Sequence, residues 1–274
     1  MRDFQMPMAL MLQIRPLSNA TVQPSLARAA HAAILNIIRE ANPDLAQQVH
    51  DEVGAKPLTV SNVLGMHTQG NQATVQTSED YGLRISLLTP ALEQLAQTWQ
   101  PEQLGFLNLD GSSWRVEAIL RHEHEHPWVG QRSYSELLAP SMAQDSIAHR
   151  WTFQFHSPVT FRQRGLNQPM PTPDLVFGSL LDKWNAVAPL TFPDEFKRFA
   201  SECMATSYFE LRSQREPTKN QAIQIGAVGH CTYTATSRDR YWCSCIDTLA
   251  RFAFWSGVGA GTTRGLGRAR LIER

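Results

Sequence analysis

The chain has 274 residues, 42% of them hydrophobic, which is enough for one large domain or two ordinary domains with substantial cores. Its 25 basic and 25 acidic residues give a formal net charge of zero, which argues against nucleic-acid binding by bulk positive charge. The sequence has no apolar run of the roughly 18 residues that a membrane span requires and no secretory signal, so we expect a cytoplasmic protein without membrane contacts.

The first half of the chain predicts the order strand, helix, strand, strand, helix, strand. Residues 6–17 alternate as in a strand, and Ser25 is a suitable N-cap for a helix with an apolar stripe ending at Ile38. The pair Asn42-Pro43 starts a short second helix that runs towards His50. Further strands are predicted at 56–61, 83–88, 106–109 and 114–122, and a further helix at 90–99.

The second half repeats this plan after a connection rich in Pro, Ser and Gly at 126–150. The predicted elements are a strand at 151–155, a helix at 173–187, strands at 208–212 and 223–236, a helix at 241–255 and a short last strand at 266–272. The sequence therefore predicts an α+β protein of two tandem ferredoxin-like (RRM-like, βαββαβ) domains, 1–140 and 141–274.

A glycine-rich segment lies between the last predicted helix and the last predicted strand. Its glycines allow positive φ angles and close backbone approach to an anion; they are Gly257, Gly259, Gly261, Gly265 and Gly267. Arg264 and Arg268 stand within the segment, so it predicts contact with a phosphate-bearing partner. Arg162 and Arg164 are further candidate phosphate contacts, although a solvated loop also accounts for them.

Histidines supply the candidate acid–base chemistry. His50 ends the short second helix, and Lys56 follows it closely, a combination suited to phosphodiester cleavage. On spacing alone, a histidine in this position is more often a surface residue than a catalyst. His31 flanks the apolar stripe of the first helix, where a histidine at the edge of a core is the plain structural interpretation.

Two other groups of residues raise the question of metal binding. His122, His124 and His126 alternate, and on a strand they would share one face and could bind zinc, although a solvent-facing strand end also explains them. The four cysteines, Cys203, Cys231, Cys243 and Cys245, lack the spacing of a zinc site, so we expect reduced and mostly buried thiols.

Two segments of the tail, Phe254–Gly259 and Thr262–Gly267, resemble the C-terminal signature of the CRISPR repeat endoribonucleases, the RAMP-type nucleases that cut precursor CRISPR RNA. Other segments similar to this family follow one another along nearly the whole chain: 26–39 with His31, 42–46 with His50, 56–61, 126–128, 134–138 and 169–185.

This resemblance implies two ferredoxin-like domains and a glycine-rich loop near the scissile phosphate. It implies cleavage within the repeat without a metal ion or other cofactor, by attack of a 2′-OH that leaves a 2′,3′-cyclic phosphate and a 5′-OH. His50 and His31 match positions that supply catalytic histidines in the family, and Lys56 matches its charge-stabilising lysine. The implied partner is the precursor CRISPR RNA repeat, and the resemblance leaves open a homodimer and association with effector-complex subunits.

Two alternatives come from other functional classes. The same fold and loop would serve a non-catalytic RNA-binding subunit of a CRISPR ribonucleoprotein, which would not need His50 and Lys56 at this spacing. A metal enzyme built on the histidines at 122–126 would instead contain stoichiometric zinc.

Overall fold

The computed structural model describes residues 6–143, 148–217 and 223–272, which form two compact units. The first unit extends to Arg132 and includes Thr263–Gly265, whereas the second comprises Ser133–Thr262 and the residues from Leu266 onward. The domain boundary proposed at residue 140 lies within a helix, Tyr134–Ala143.

The first unit is built on one antiparallel sheet. Its elements in chain order are β1 (Met8–Pro16), β2 (Ala20–Val22), α1 (Ala27–Ala41), α2 (Pro43–Asp51), β3 (Leu58–Leu64), β4 (His67–Gln69), β5 (Gln72–Val75), β6 (Tyr81–Leu87), α3 (Pro90–Gln97), α4 (Pro101–Leu104), β7 (Phe106–Leu109), β8 (Ser112–Leu120) and β9 (Gly130–Gln131). The main sheet has the order β3-β6-β1-β8-β7, and β9 pairs with β1. Strands β2, β5 and β4 form a small separate sheet that the sequence did not predict.

The core of the first unit lies on one face of the main sheet. Alternate residues Met8, Leu10, Leu12 and Ile14 of β1 point to this face because side chains alternate along a strand. The apolar stripe of α1 and residues of α3 complete the same cluster. This packing confirms the predicted strand and the helical period of α1, but Ala9 and Met11 of β1 are buried as well, so burial along this strand does not alternate.

The two linked helices of the first unit begin differently from one another. At α2 the prediction is confirmed, because the Asn42 side chain accepts from the Leu45 N–H at 3.0 Å and proline follows it. At α1 the predicted cap Ser25 is wrong. Leu26 occupies the cap position, and the Asn62 Oδ1 atom in β3 accepts from the Leu26 N–H at 2.8 Å.

The second unit has the same order of principal elements. In chain order these elements are α5 (Tyr134–Ala143), β10 (Arg150–Val159), β11 (Phe161–Gln163), β12 (Leu166–Gln168), α6 (Pro173–Val187), α7 (Glu195–Glu202), β13 (Met204–Pro217), β14 (Ile223–Ala235), α8 (Arg240–Ser256), a 3₁₀ turn (Thr262–Arg264) and β15 (Ala269–Ile272). Its sheet is antiparallel with the order β13-β14-β10-β15, so the first of its four strands is central, as β1 is in the first unit.

Aromatic side chains fill the core of the second unit. Trp184 of α6 is fully buried and meets Tyr134 and Phe252 edge to face, with ring centroids 5.2 Å away in each case. Its indole N–H donates to the Leu190 carbonyl at 2.7 Å, so the polar edge of the ring is also satisfied. Trp184 therefore joins α5, α6 and α8 into one layer.

Several local expectations are corrected by the fold. Strand β8 ends at Leu120, so His122, His124 and His126 lie in turns rather than along one strand face as predicted. Within the described ranges, no group of three His, Cys, Asp or Glu side chains is arranged to hold a metal ion. The expectation for the cysteines is confirmed, since all four are free and Cys231, Cys243 and Cys245 are buried. Over the described part of the chain, no helix has both the length and the apolar character needed to cross a membrane.

Removal of the Trp184 ring should destabilise the protein strongly. We expect Trp184→Ala to lower the free energy of unfolding by about 3–5 kcal/mol, because a buried aromatic ring leaves a large cavity. Phe106 in β7 is 60% exposed and is the matched control. Phe106→Ala should change that free energy by no more than about 0.5 kcal/mol. Urea unfolding followed by far-UV circular dichroism measures both, and equal effects would contradict the assigned core.

Candidate active site

His31 lies at the edge of the core on α1. The buried stripe of this helix includes Ala30 and Ile34, and His31 follows Ala30 on the flank of the stripe, where its side chain is half-buried. The His31 Nδ1 atom is buried and has no hydrogen-bond partner among the described residues. The Nδ1 side of the ring is therefore held by packing rather than by a hydrogen bond.

His50 and Lys56 are joined through the end of α2. His50 lies in the last turn of this helix and is exposed. The Lys56 ammonium group donates to the carbonyl oxygens of Val49 at 3.1 Å, His50 at 2.7 Å and Glu52. A lysine at this place satisfies carbonyls that the helix itself leaves without partners. Lys56 thus fixes the backbone that carries His50.

The glycine-rich segment brings an arginine to the same unit. Gly265 has a φ of +83°, and its N–H donates to the Val60 carbonyl at 2.9 Å in β3. A Cβ atom at this position would lie 2.8 Å from the Ala27 Cβ and 3.0 Å from the Asn62 nitrogen. Only glycine fits here without displacing α1 or β3. Arg264, next to it, is exposed.

The four candidate residues are linked electrostatically. Burial is the largest cause of a lowered pKa for His31, and the charges of Arg264, Lys56 and His50 lower it further from the ordinary value of 6.5. All four residues belong to the first unit. The structure therefore brings together the predicted pair of histidines, Lys56 and Arg264, and it favours the neutral form of His31 near pH 7, which can accept a proton.

Most N–H groups of the glycine-rich segment have partners within the protein. The Gly257 N–H donates to Ala253, Gly259 to the Ser179 hydroxyl oxygen, and Gly267 to Pro158, each at 2.9–3.0 Å. At Gly267, with a φ of +71°, a Cβ atom would collide with the Val258 carbonyl oxygen. These glycines shape the segment by allowing its backbone to pack closely. Direct RNA contact by Gly257, Gly259, Gly261, Gly265 and Gly267 stays a prediction.

The remaining predicted phosphate contacts differ in accessibility. Arg162 on β11 and Arg164 in the turn after it are both exposed, and they belong to a small hairpin rather than to an irregular loop. Arg268 is half-buried, and burial lowers the pKa of its guanidinium to about 10. The backbone N–H of Arg268 donates to the Ser157 hydroxyl oxygen at 2.8 Å. Solvent access therefore favours Arg162 and Arg164 over Arg268 as surface contacts.

Asn62 is a residue of this site that the sequence did not reveal. Its Oδ1 atom accepts from Leu26 and Val63, and its Nδ2 atom donates to the Pro24 carbonyl at 3.0 Å. It thereby fixes the start of α1, the helix that carries His31. No local motif marks Asn62, because Pro24 and Leu26 lie 38 and 36 residues away in the chain.

Two family models match consecutive parts of the chain. Residues 6–139 match the CRISPR Cas6 N-terminal domain, and residues 153–269 match the CRISPR-associated endoribonuclease Cas6. Together they include every candidate residue described above.

Individual proteins agree with the family models. The chain is 26% identical over 129 residues to a CRISPR-associated endoribonuclease Cas6 of Streptococcus thermophilus. This alignment covers 44% of this chain and 49% of that protein, so the match spans about half the length of that relative. Over 98% of this chain and 100% of the other, it is similar to a Cas6 product complex, with 27% identity and a TM-score of 0.79. A Thermus thermophilus Cas6 gives 26% identity and a TM-score of 0.72 over 97% of this chain and 98% of the other. The chain belongs to the Cas6 family of CRISPR repeat-specific endoribonucleases.

Proposed function

We propose that this protein is an endoribonuclease that cuts precursor CRISPR RNA within its repeats. The observation that carries the proposal is geometric: Gly265, next to Arg264, packs against Ala27 on α1, the helix that carries His31, and Lys56 donates to the His50 carbonyl. The charges of Arg264, Lys56 and His50 also act on His31, which supports one site with two histidines and two cationic side chains. Family membership supplies the substrate class, and the similarity to a solved Cas6 product complex supports binding of a cleavage product.

In the proposed reaction the RNA supplies its own nucleophile. His31, neutral because burial lowers its pKa, accepts the proton of the 2′-OH, and the freed oxygen attacks the adjacent phosphorus atom. The bond from phosphorus to the 5′ oxygen breaks, and His50, acting as the general acid, donates a proton to that oxygen. The products are a 2′,3′-cyclic phosphate and a 5′-OH. Both proton transfers use side chains, so the proposed chemistry requires no metal ion.

The two cationic residues have different proposed roles. Arg264 is exposed beside His31 and stabilises the negative charge that develops on the phosphate oxygens. Lys56 donates to three carbonyls at the end of α2, so it acts first by holding His50 in place. Its charge adds to the positive potential around His31.

The proposal also includes the domain type of each unit and the contacts with RNA and with protein partners. The principal elements of each unit follow the order strand, helix, strand, strand, helix, strand. The second, third, first and fourth strands lie side by side in an antiparallel sheet, which supports assignment of both units as ferredoxin-like domains. Arg162 and Arg164 are proposed contacts to the RNA backbone. Association with a second copy or with effector-complex subunits stays a prediction.

Loss of either histidine should slow cleavage of a labelled repeat RNA in excess chelator. We expect His31→Ala and His50→Ala each to lower the single-turnover rate on the order of 10²-fold or more, because each removes a proton transfer. His67 is an exposed histidine on β4 of the same unit, and His67→Ala should cleave at the wild-type rate. Mass spectrometry should detect the cyclic phosphate.

The outcomes of this experiment separate the two functional classes. Tight binding of repeat RNA without a cut by the wild-type protein would replace the proposal with a non-catalytic RNA-binding subunit. Cleavage that chelator abolishes would instead contradict the metal-independent mechanism.

The fall in cleavage rate at low pH should report protonation of His31. Its pKa is lowered in the folded protein, so as a base it remains active below pH 6.5 and loses activity only as the pH falls through the lowered value. Arg264→Gln should raise the His31 pKa towards 6.5 without reaching it, because burial remains the larger cause. Arg162→Gln is the control and should leave it unchanged. NMR titration of the histidine ring measures the pKa, and a His31 pKa above 6.5 would oppose its role as the base.

Gly265→Ala should impair cleavage because the added Cβ would press against Ala27 and Asn62 and displace Arg264. Gly111, in the turn between β7 and β8, has the same φ of +83°, but a Cβ added there would have no atom within 4 Å. Gly111→Ala is therefore the control that introduces the same backbone strain without a steric clash. We expect a drop of at least about tenfold in cleavage rate for Gly265→Ala only, consistent with misplacement of a catalytic group. Equal rates for the two variants would contradict the proposed placement of Arg264.

A further inference from the structure

A buried lysine stands beside the start of the glycine-rich segment. Lys183 of α6 is only 8% exposed, and its ammonium group donates to the carbonyl oxygens of Ser256 at 3.3 Å and Gly257 at 2.9 Å. Ser256 is the last residue of α8, and Gly257 is its C-cap with a φ of +62°. Lys183 thus holds the point where the chain leaves α8 and enters the glycine-rich segment.

A second side chain of α6 holds the same segment. Ser179 lies four residues before Lys183, which places both on one face of the helix. The Ser179 hydroxyl accepts from the Gly259 N–H at 3.0 Å and donates to the Val176 carbonyl at 2.9 Å. A cation and a hydroxyl on consecutive turns therefore hold two carbonyls and one N–H of the segment.

The burial of Lys183 is costly for stability. Burial lowers its pKa to about 7, and the neighbouring Asp182 only partly opposes this. Asp182 forms its ion pair with Lys197 at 2.7 Å, and no carboxylate within the described ranges forms an ion pair with Lys183. Lys183 instead directs its donors to the two carbonyls at the end of α8, which would lose this partner if the residue were apolar. The lysine therefore serves the backbone at this point rather than an ion pair.

We propose that Lys183 and Ser179 are positioning residues of the nuclease, which hold the glycine-rich segment in the conformation that RNA processing requires. The inference rests on the proposed function of that segment in RNA contact. Neither residue touches the reacting atoms in this proposal. Both act through the backbone from Ser256 to Gly259, which leads along the chain to Arg264.

The test combines backbone protection with cleavage. Lys183→Met removes the charge and the donors while it retains a long apolar side chain, and Ser179→Ala removes one hydroxyl group. For each variant we expect faster hydrogen exchange in the peptide that contains residues 257–261, and at least a threefold fall in single-turnover cleavage. The melting temperatures should show that both variants stay folded at the assay temperature, so that faster exchange at 257–261 is a local effect. Ser179→Thr, which keeps the hydroxyl, should restore cleavage.

Lys197 supplies the matched control. It is a partly exposed lysine of α7 that pairs with Asp182 and Asp194, outside the proposed machinery. Lys197→Met should leave both exchange at 257–261 and cleavage unchanged. If Lys183→Met does not fold, Ser179→Ala and Ser179→Thr decide the question. Wild-type exchange and cleavage in Ser179→Ala would overturn the proposal.

Binding measurements separate this inference from the proposed function. If the wild-type protein binds repeat RNA but does not cut it, the endonuclease proposal fails, and the affinity of the same variants then tests the positioning role. A threefold or greater loss of affinity in Ser179→Ala with recovery in Ser179→Thr would support positioning. Wild-type affinity in both Ser179→Ala and Lys183→Met would overturn it.

Discussion

The candidate site depends on one close backbone approach at Gly265. This residue has no Cβ, adopts a φ of +83°, and lies against Ala27 and Asn62 while its N–H donates to Val60. A side chain here would push apart the turn, the start of α1 and β3. The constraint is steric, and it sets where Arg264 stands relative to the histidine on α1.

Burial and local charge then determine the chemistry of the site. The protein has no net charge, yet the charges that act on His31 come from Arg264, Lys56 and His50, all of them basic residues. Each disfavours the protonated ring, and burial does so most strongly. In the proposed reaction, a neutral His31 would accept a proton, and the cationic side chains of Arg264 and Lys56 would stabilise the phosphate. This combination depends on where the charges lie and not on their total.

The glycines of the glycine-rich segment allow its backbone to pack closely against the protein, a role that the composition of the segment did not indicate. An unoccupied run of N–H groups would suit an anion, but the N–H groups of Gly257, Gly259 and Gly267 donate to protein acceptors. The segment is a packed piece of backbone held by α6. Under the proposed function, the segment would contact RNA mainly through the Arg264 side chain and less through its backbone N–H groups.

By itself the sequence determined the succession of strands and helices, the glycine-rich segment, the family resemblance and the candidate histidines. Periodicity and motifs are local properties of the chain, so they can be recognised without the fold. Local pattern could not determine what packing decides. Alternation suggested a strand through His122, His124 and His126, but β8 ends at Leu120. Likewise, Ser25 was a reasonable cap, yet Asn62 supplies the oxygen from β3. Only the tertiary structure assigned Lys56 to the carbonyls of α2 and brought Arg264 to His31, since long-range contacts and burial arise when distant segments pack together.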